Sequence, residues 1–338
     1  MPKYTSADEI LTLIRAFQPA CVLFAAAELN VFTAMSGRPI TAPSLSEILH
    51  ADIRSLTVLL DVLTALGFLI KDKDKYRVPG HLVGMLTEKG SSNILPAIRH
   101  QGNCLRRWAQ IGRVIQSGRP AICVPSIRGR DADLKAFIGA MDNFSLPITT
   151  KIIHKLQPLK FRHLLDVGGA SGTWTIAFLR AVPHATATLF DLPDVIPLAA
   201  KRLTSSRLTK RVSLVAGDYN RDRFPTGSDF AWLSAIAHQN SRRQNRALFD
   251  RIFTALSPGG IVVIRDVVMD ESRTSPSQGA FFAVNMLVGT RSGGTYTFDE
   301  FRQDLSHAGF TDIRLVHHDL AMNSLIRARK PRTKVGLT

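Results

Sequence analysis

The sequence predicts an α/β protein, an open and largely parallel sheet preceded by a mainly helical segment of winged-helix pattern. Three observations carry that expectation. From Phe161 onward, short apolar runs (HLLDV, TATLF, VSLVAGD, FAWLSAI, GGIVVIRDVV) alternate with stretches of helical period, the arrangement of sheets that bind ligands at the carboxyl ends of their strands. Upstream, Leu56, Leu59, Leu60, Leu63 and Leu66 recur at helical spacing and lead into two short apolar runs around a charged turn. Finally, 338 residues with 45% apolar and 21% charged side chains can bury one large core or two modest ones.

Residues 1–100 read as helices followed by a hairpin. PSLSEILHADIRSL is a helix-turn segment, Gly67 stops the leucine helix, and FLI and YRV are strands around KDKDK. A winged helix can dock on DNA, but the outer positions of this one offer only Arg54 as a basic residue. A protein-interaction role is expected instead. Residues 101–160 form a helical connector, with Trp108, Ile111 and Ile115 on one face of RRWAQIGRVIQSG and a mixed pattern through DLKAFIGAMDNFSLPITTKIIHKL. Residues 161–338 form the α/β domain. Within it, Leu248, Ile252 and Leu256 mark a helix that PGG is expected to close. The basic tail RARKPRTKVGLT is expected to fray after Ala328.

The net charge is +16, unevenly spread: +1 over residues 1–100, +7 over 101–160, +6 over 161–258 and +2 over 259–338. Such an excess can attract anions, nucleic acid or an acidic partner. The near-neutral winged-helix segment argues against a duplex-binding face. Cys21, Cys104 and Cys123 form no C-x-x-C pair, which fits a reducing cytoplasm rather than a disulfide framework or a cysteine zinc site. The other histidines make no H-E-x-x-H arrangement, so no metal is expected. PACVLFAAA, from Pro19 to Ala27, reaches about half the length of a membrane span. Asp8, Glu9 and Arg15 ahead of it do not read as a secretory signal. A soluble cytoplasmic protein is the expectation.

The sharpest local feature is LLDVGGASGTWTIAFL, a strand ending near Asp166, a turn holding Gly168, Gly169 and Gly172, and a helix start. Glycine lets a backbone approach a ligand without Cβ interference. The G-x-G-x-x-G fingerprint is not met, because Ala170 and Thr173 stand at its second and third glycines; a D-x-G-x-x-x-G pattern is met instead. Asp191, in LFDLP, ends the next strand, where a carboxylate can accept from both hydroxyls of a ribose. The strand after that ends in AGDYN, placing Asp218 and Tyr219 at the same rim. Ser171 lacks a G-x-S-x-G frame, which excludes a hydrolase elbow.

The order DVGGASG, FDLP, GDYN, a histidine after the fourth strand, then SPGG resembles the S-adenosylmethionine-dependent O-methyltransferases of the plant caffeate/flavonoid type and their bacterial small-molecule counterparts. The likeness extends over nearly the whole chain, through Trp108 with Gly118-Arg119-Pro120, GAFFAVNMLVGTRSGG, and the closing Ala308-Gly309-Phe310. It implies a class I methyltransferase Rossmann-like sheet, an N-terminal domain that forms a homodimer, and S-adenosylmethionine as cofactor. Gly168, Gly169 and Gly172 would then line the methionine part, with Asp166 and Leu192 also in the cofactor site. Asp191 would hold the ribose, and Asp218 with Tyr219 would flank the adenine. Ala170 replaces the usual middle glycine.

By the same resemblance His238, in AIAHQNSRRQN, is the general base, and Asp266, 28 residues on, orients it. Imidazole titrates near neutral pH, which suits removal of a hydroxyl proton. Met141, Asn143, Phe144, Asn285 and Met286 fall where the family lines its acceptor pocket. The family's Asp-Trp after the histidine is replaced by Gln239-Asn240, and its second acid is missing from GGTYTF. The implied activity is methylation of a hydroxyl on a small aromatic or polyketide-like molecule of secondary metabolism. Two alternatives stand beside it: a nucleic-acid methyltransferase, which the scarcity of tyrosine and tryptophan disfavours, and a family member that binds the cofactor without transferring methyl to oxygen.

Overall fold

A computed structural model describes residues 4–35 and 38–332, which fold as two compact units. The first contains the chain up to Ala109 together with Ile122–Asn143; the second contains Gln110–Ala121 and the chain from Phe144 onward. The connector of residues 101–160 is thus shared between the two. Its first part is broken: one helix ends at Trp108 and another runs Ile111–Ser117, where Ile115 is 67% exposed.

In the first unit, Asp52 caps the helix Ile53–Ala65 by accepting from the Ser55 N–H at 2.8 Å. Leu56, Leu60 and Leu63 are buried with Phe32, Leu45 and Tyr76, whereas Leu66 is exposed, so the apolar stripe is narrower than the leucine spacing suggests. The wing consists of β1 (Ile40–Thr41), β2 (Ile70–Asp72) and β3 (Lys75–Arg77), antiparallel in the order β1-β3-β2. The turn tightens to Lys73 and Asp74, with Lys73 at φ 55°. The Tyr76 hydroxyl and Lys71 Nζ both donate to Asp61 at 2.7 Å, fixing the wing to the leucine helix.

The N-terminus departs from expectation. Ala7–Arg15 starts on a Ser6/Glu9 capping box and buries none of its residues, leaving Ile10, Leu11, Leu13, Ile14 and Phe17 exposed. Together with Gln18–Glu28 it makes a 22-residue run, Ala7–Glu28, whose most apolar 18-residue window has a mean hydropathy of 1.7, long and apolar enough by length and composition to cross a membrane. An uninterrupted apolar stretch of nine residues understated it, because Arg15 and Gln18 interrupt the window without making it polar on average.

The second unit is built on β4 (His163–Val167), β5 (Thr186–Asp191), β6 (Val212–Ala216), β7 (Ser228–Ser234) and β8 (Leu256–Asp266), all parallel. A short parallel pair, β9 (Val268–Met269) and β10 (Tyr296–Thr297), lies apart from that sheet. β11 (Thr311–His317) and β12 (Ser324–Arg329) complete seven strands in the order β11-β12-β8-β7-β4-β5-β6. β12 is antiparallel to both its neighbours, so the sheet is mixed at this end.

Side-chain alternation gives the sheet two cores. Leu165, Ala231, Leu233, Val262 and Ile264 pack under the helices Arg242–Ala255 and Phe298–His307; Leu164, Phe230, Trp232 and Val263 pack under Thr173–Ala181. Arg242 and Arg246 both pair with the buried Asp304 at 2.8 and 2.7 Å, joining the first two helices.

Two expectations at this end are corrected. The helix stops at Ala255 and Leu256 already belongs to β8; Ser257-Pro258-Gly259-Gly260 is a bulge inside the strand, between the pairings Ser228 to Leu256 and Phe230 to Ile261. The chain does not fray after Ala328, because Lys330 bonds Gly260 through its backbone at 2.8 Å and its Nζ reaches the Phe253 and Leu256 carbonyls at 2.7 Å. The rest of the tail, 333–338, lies outside the described residues.

Candidate active site

The carboxyl ends of β4, β5, β6 and β7 carry the turn, the acids and the histidine singled out above. At the end of β4, Gly168 and Gly172 take φ values of 69° and 83°, where glycine is unstrained. Gly169 is required for a different reason. A Cβ there would lie 2.6 Å from Leu189 Cγ and 3.1 Å from Asp166 Cγ, so the turn is pressed onto the side chains beneath it. Ala170, at φ 49°, accepts the left-handed conformation and donates its N–H to Asp191 Oδ2 at 2.7 Å. Ser171 accepts from Arg202 at 2.9 Å, which commits its hydroxyl to holding the turn.

Asp191 is the hinge of this region. Its second oxygen accepts from the Leu192 N–H at 2.7 Å, and its carbonyl accepts from Gly217, which leads into Asp218. Burial raises its pKa, opposed by the N–H groups of Ala170 and Leu192. The Leu192 side chain is exposed at the rim. Asp218 accepts from the Asn220 N–H at 2.8 Å, and Arg251 holds the Tyr219 carbonyl at 2.8 Å. Burial pushes the Tyr219 phenol up to about 12, so it stays neutral.

Asp166 is placed differently from these rim groups. It is 1% exposed, below the turn, and accepts from the Thr175 hydroxyl at 2.6 Å. Burial, reinforced by the nearby Asp191, pushes its carboxyl up to about 7. A carboxyl whose folded pKa is raised stabilises the fold fully below its unfolded pKa near 4 and loses that contribution as pH rises through about 7. The Asp166→Asn variant lacks this titration. The expected result is that the wild-type melting temperature, relative to that of the variant in the same buffers, falls between pH 4 and pH 7; parallel curves would mean the carboxyl is not perturbed.

His238 follows β7 on a short turn, Ala237–Gln239, entered through Ala235 at φ 58°. It is 5% exposed, and its Nδ1 meets Asp266 Oδ1 at 2.8 Å, at the end of β8. Asp266 also accepts from the His238 N–H at 3.3 Å and from the Val267 N–H at 2.8 Å, so its buried oxygens are hydrogen-bonded. A carboxylate opposite Nδ1 selects the tautomer with the proton there and leaves the Nε2 lone pair as a base. Phe282 packs edge-on against the imidazole, centroids 4.7 Å apart.

Several contributors were not anticipated. Gly294 donates its N–H to the His238 carbonyl at 2.9 Å, and a Cβ on Gly293 would come within 2.5 Å of that oxygen. The GGTYTF segment, which lacks the second acid, therefore supports the histidine through its backbone. Tyr296, in the same segment, donates its buried hydroxyl to the Asn240 carbonyl, and Asn240 bonds Asn245 at 3.2 Å. The Gln239-Asn240 pair thus takes part in holding the loop. Thr175, Arg251 and Phe282 carry no signal in a single sequence, since threonine, arginine and phenylalanine at such positions are common in any core or surface.

The acceptor candidates divide between the units, Met141 and Asn143 in the first and Phe144, Asn285 and Met286 in the second. Asn143 spends its amide locally, accepting from the Ala97 N–H at 3.3 Å and donating to the Asn93 carbonyl at 2.9 Å. Met286 is buried, Asn285 half-buried and Phe144 exposed, and Asn285 and Met286 share with Phe282 the helix Ser277–Gly289. Among the described residues no group of three or more metal-ligating side chains converges.

Residues 116–311 match the O-methyltransferase domain family, and residues 11–80 match the O-methyltransferase dimerisation domain. The chain belongs to the O-methyltransferase family. This methyltransferase is 32% identical to the tetracenomycin polyketide synthesis 8-O-methyl transferase of Streptomyces glaucescens, over 96% of this chain and 97% of that one. It is 30% identical to the 3-hydroxy-5-methyl-1-naphthoate 3-O-methyltransferase of Streptomyces sahachiroi, over 87% and 86% of the two chains. Its fold is that of human N-acetylserotonin methyltransferase, solved in complex with S-adenosylmethionine, with a TM-score of 0.81 at 23% identity, covering 98% of this chain and all of that one.

Proposed function

We propose that this methyltransferase moves a methyl group from S-adenosylmethionine to a hydroxyl of a small aromatic or polyketide-like molecule, with His238 as general base. S-adenosylmethionine supplies an activated methyl and a neutral leaving group. The glycine turn, Asp191, Asp218 and Tyr219 are the groups that would hold it, and the crowding beneath Gly169 supports a preformed cradle. The observation that carries the reading is the 2.8 Å contact between His238 Nδ1 and Asp266, with Nε2 making no hydrogen bond among the described residues. Removing the acceptor's proton as the methyl arrives raises its nucleophilicity, and holding acceptor and donor in line removes the entropic part of the barrier. Phe282, edge-on to the base, offers an aromatic acceptor a neighbouring surface.

The names of the two Streptomyces relatives, both O-methyltransferases of aromatic or polyketide compounds, support the acceptor class and favour it over nucleic acid. Calorimetry with S-adenosylhomocysteine should give saturable binding. Incubation with labelled S-adenosylmethionine and a panel of phenols and hydroxynaphthoates should label at least one. Cofactor binding without label in any of them would favour the reading without oxygen transfer. The exposed apolar helix Ala7–Arg15 and the match of residues 11–80 to a dimerisation domain support a homodimer, which light scattering checks.

A further inference from the structure

A second charged group lies beside the His238–Asp266 pair, on the other face of the same strand. Alternation along β8 puts Asp266 in line with Val262 and Ile264, and Arg265 in line with Val263. Arg265 is only 4% exposed, yet its guanidinium bonds no carboxylate among the described residues. Its Nε and Nη2 donate to Asn323 Oδ1 at 3.0 and 2.8 Å, its Nη1 donates to Ser234 Oγ at 2.9 Å, and it lies 5.1 Å from the Trp174 ring centroid. Burying a cation among neutral partners is costly, so its neighbours bear on what it does.

Ser234 ends β7, one residue before the turn that delivers His238. The Arg265 carbonyl accepts the N–H of Ala235, the left-handed residue that opens that turn, at 2.8 Å. Trp174 is the second residue of the helix that follows Gly172. One side chain therefore touches the end of the histidine's strand and the helix of the glycine turn, and its strand neighbour is the carboxylate that orients the base.

We propose that Arg265 is a positioning residue for the His238–Asp266 pair, its buried guanidinium serving as the countercharge of Asp266 across the strand while its bonds fix the entry to the His238 turn. The inference rests on His238 being the base. The titratable and charged groups around the pair are Arg265 itself, Tyr296 from β10, and Asp319, which accepts from the Asn323 amide at 3.3 Å. Burial brings the Arg265 pKa down to about 10, which leaves it protonated at neutral pH. Inside the sheet its charge is weakly screened. A nearby cation favours a carboxylate over a carboxyl and a neutral over a protonated imidazole.

The test follows the His238 ring by nitrogen NMR in full-length protein labelled at histidine and saturated with S-adenosylhomocysteine, its signals assigned with His238→Asn. In Arg265→Met and Arg265→Gln the imidazole protonation curve should move to higher pH by roughly half to one unit. In Arg265→Lys, which keeps the charge and loses the planar fork, it should stay at the wild-type position. A lowered melting temperature with an unmoved curve in the neutral variants would make Arg265 merely structural and overturn the inference. Should neither neutral variant bind S-adenosylhomocysteine, the curves are compared in the ligand-free proteins, where an upward move in the neutral variants upholds the inference and an unmoved curve overturns it. The underlying reading fails separately: full methyl transfer by His238→Asn removes the base whatever the arginine variants do.

Discussion

Replacement of His238 by alanine should lower kcat for methyl transfer by about 10²- to 10⁴-fold, the range that a positioned general base contributes. The affinity for S-adenosylhomocysteine should stay within about twofold of wild type. The two readouts separate because the groups sit on different elements: the cofactor candidates follow β4, β5 and β6, whereas His238 follows β7. The alanine variant leaves Asp266 buried and without its ring partner, although the N–H groups of His238 and Val267 still reach it. Some loss of stability is therefore expected, and calorimetry on the folded fraction distinguishes it from loss of the base. Asp266→Asn should cost less than His238→Ala in kcat, because it disturbs the tautomer and orientation of a base that is still present. Unchanged turnover in His238→Ala would place the base elsewhere or make one unnecessary.

The parts of this site that were legible in the sequence are those where one residue type answers one physical demand. The order of strand ends, the D-x-G-x-x-x-G turn and the spacing from His238 to Asp266 all concern strand termini, where local composition and topology agree. What stayed hidden depends on which atoms meet across the sheet. By resemblance Asp166 belongs to the cofactor site, and alternation along β4 turns its side chain under the glycine turn, against Thr175. Arg265 reads as a surface charge in any composition count, and becomes visible only when β7, β12 and the helix of Trp174 close around it. Asn143 reads as a pocket residue by resemblance and is spent on the backbone at positions 93 and 97. The break of the connector between Trp108 and Ile111 was missed because Trp108, Ile111 and Ile115 keep helical spacing across the short turn.

The second large effect concerns the proposed cofactor cradle, and Gly169→Ala is the variant that probes it. Adding one methyl group is a minimal change, but here it must enter space already held by Leu189, a fully buried side chain of β5, and by Asp166. At Gly168 the obstacle is the terminal Cδ1 of Ile236, which can rotate away; at Gly169 it is the branched Cγ of Leu189, which cannot move without shifting the strand. Overpacking of this kind costs about 1–3 kcal/mol. The strain also displaces the turn relative to Asp191, whose carboxylate is tied to Ala170 next door. The expected result is a lowered melting temperature together with at least about tenfold weaker binding of S-adenosylhomocysteine, since an order of magnitude needs only about 1.4 kcal/mol of lost complementarity. Gly112→Ala is the matched control. Gly112 lies within the helix Ile111–Ser117, a Cβ there meets nothing within 4 Å, and alanine in a helix is favoured over glycine by about 0.5–1 kcal/mol. That variant should melt at or above the wild-type temperature with unchanged cofactor affinity. Wild-type affinity in Gly169→Ala would show that the turn adapts by moving Leu189, and that the glycine is there for reasons other than the cradle.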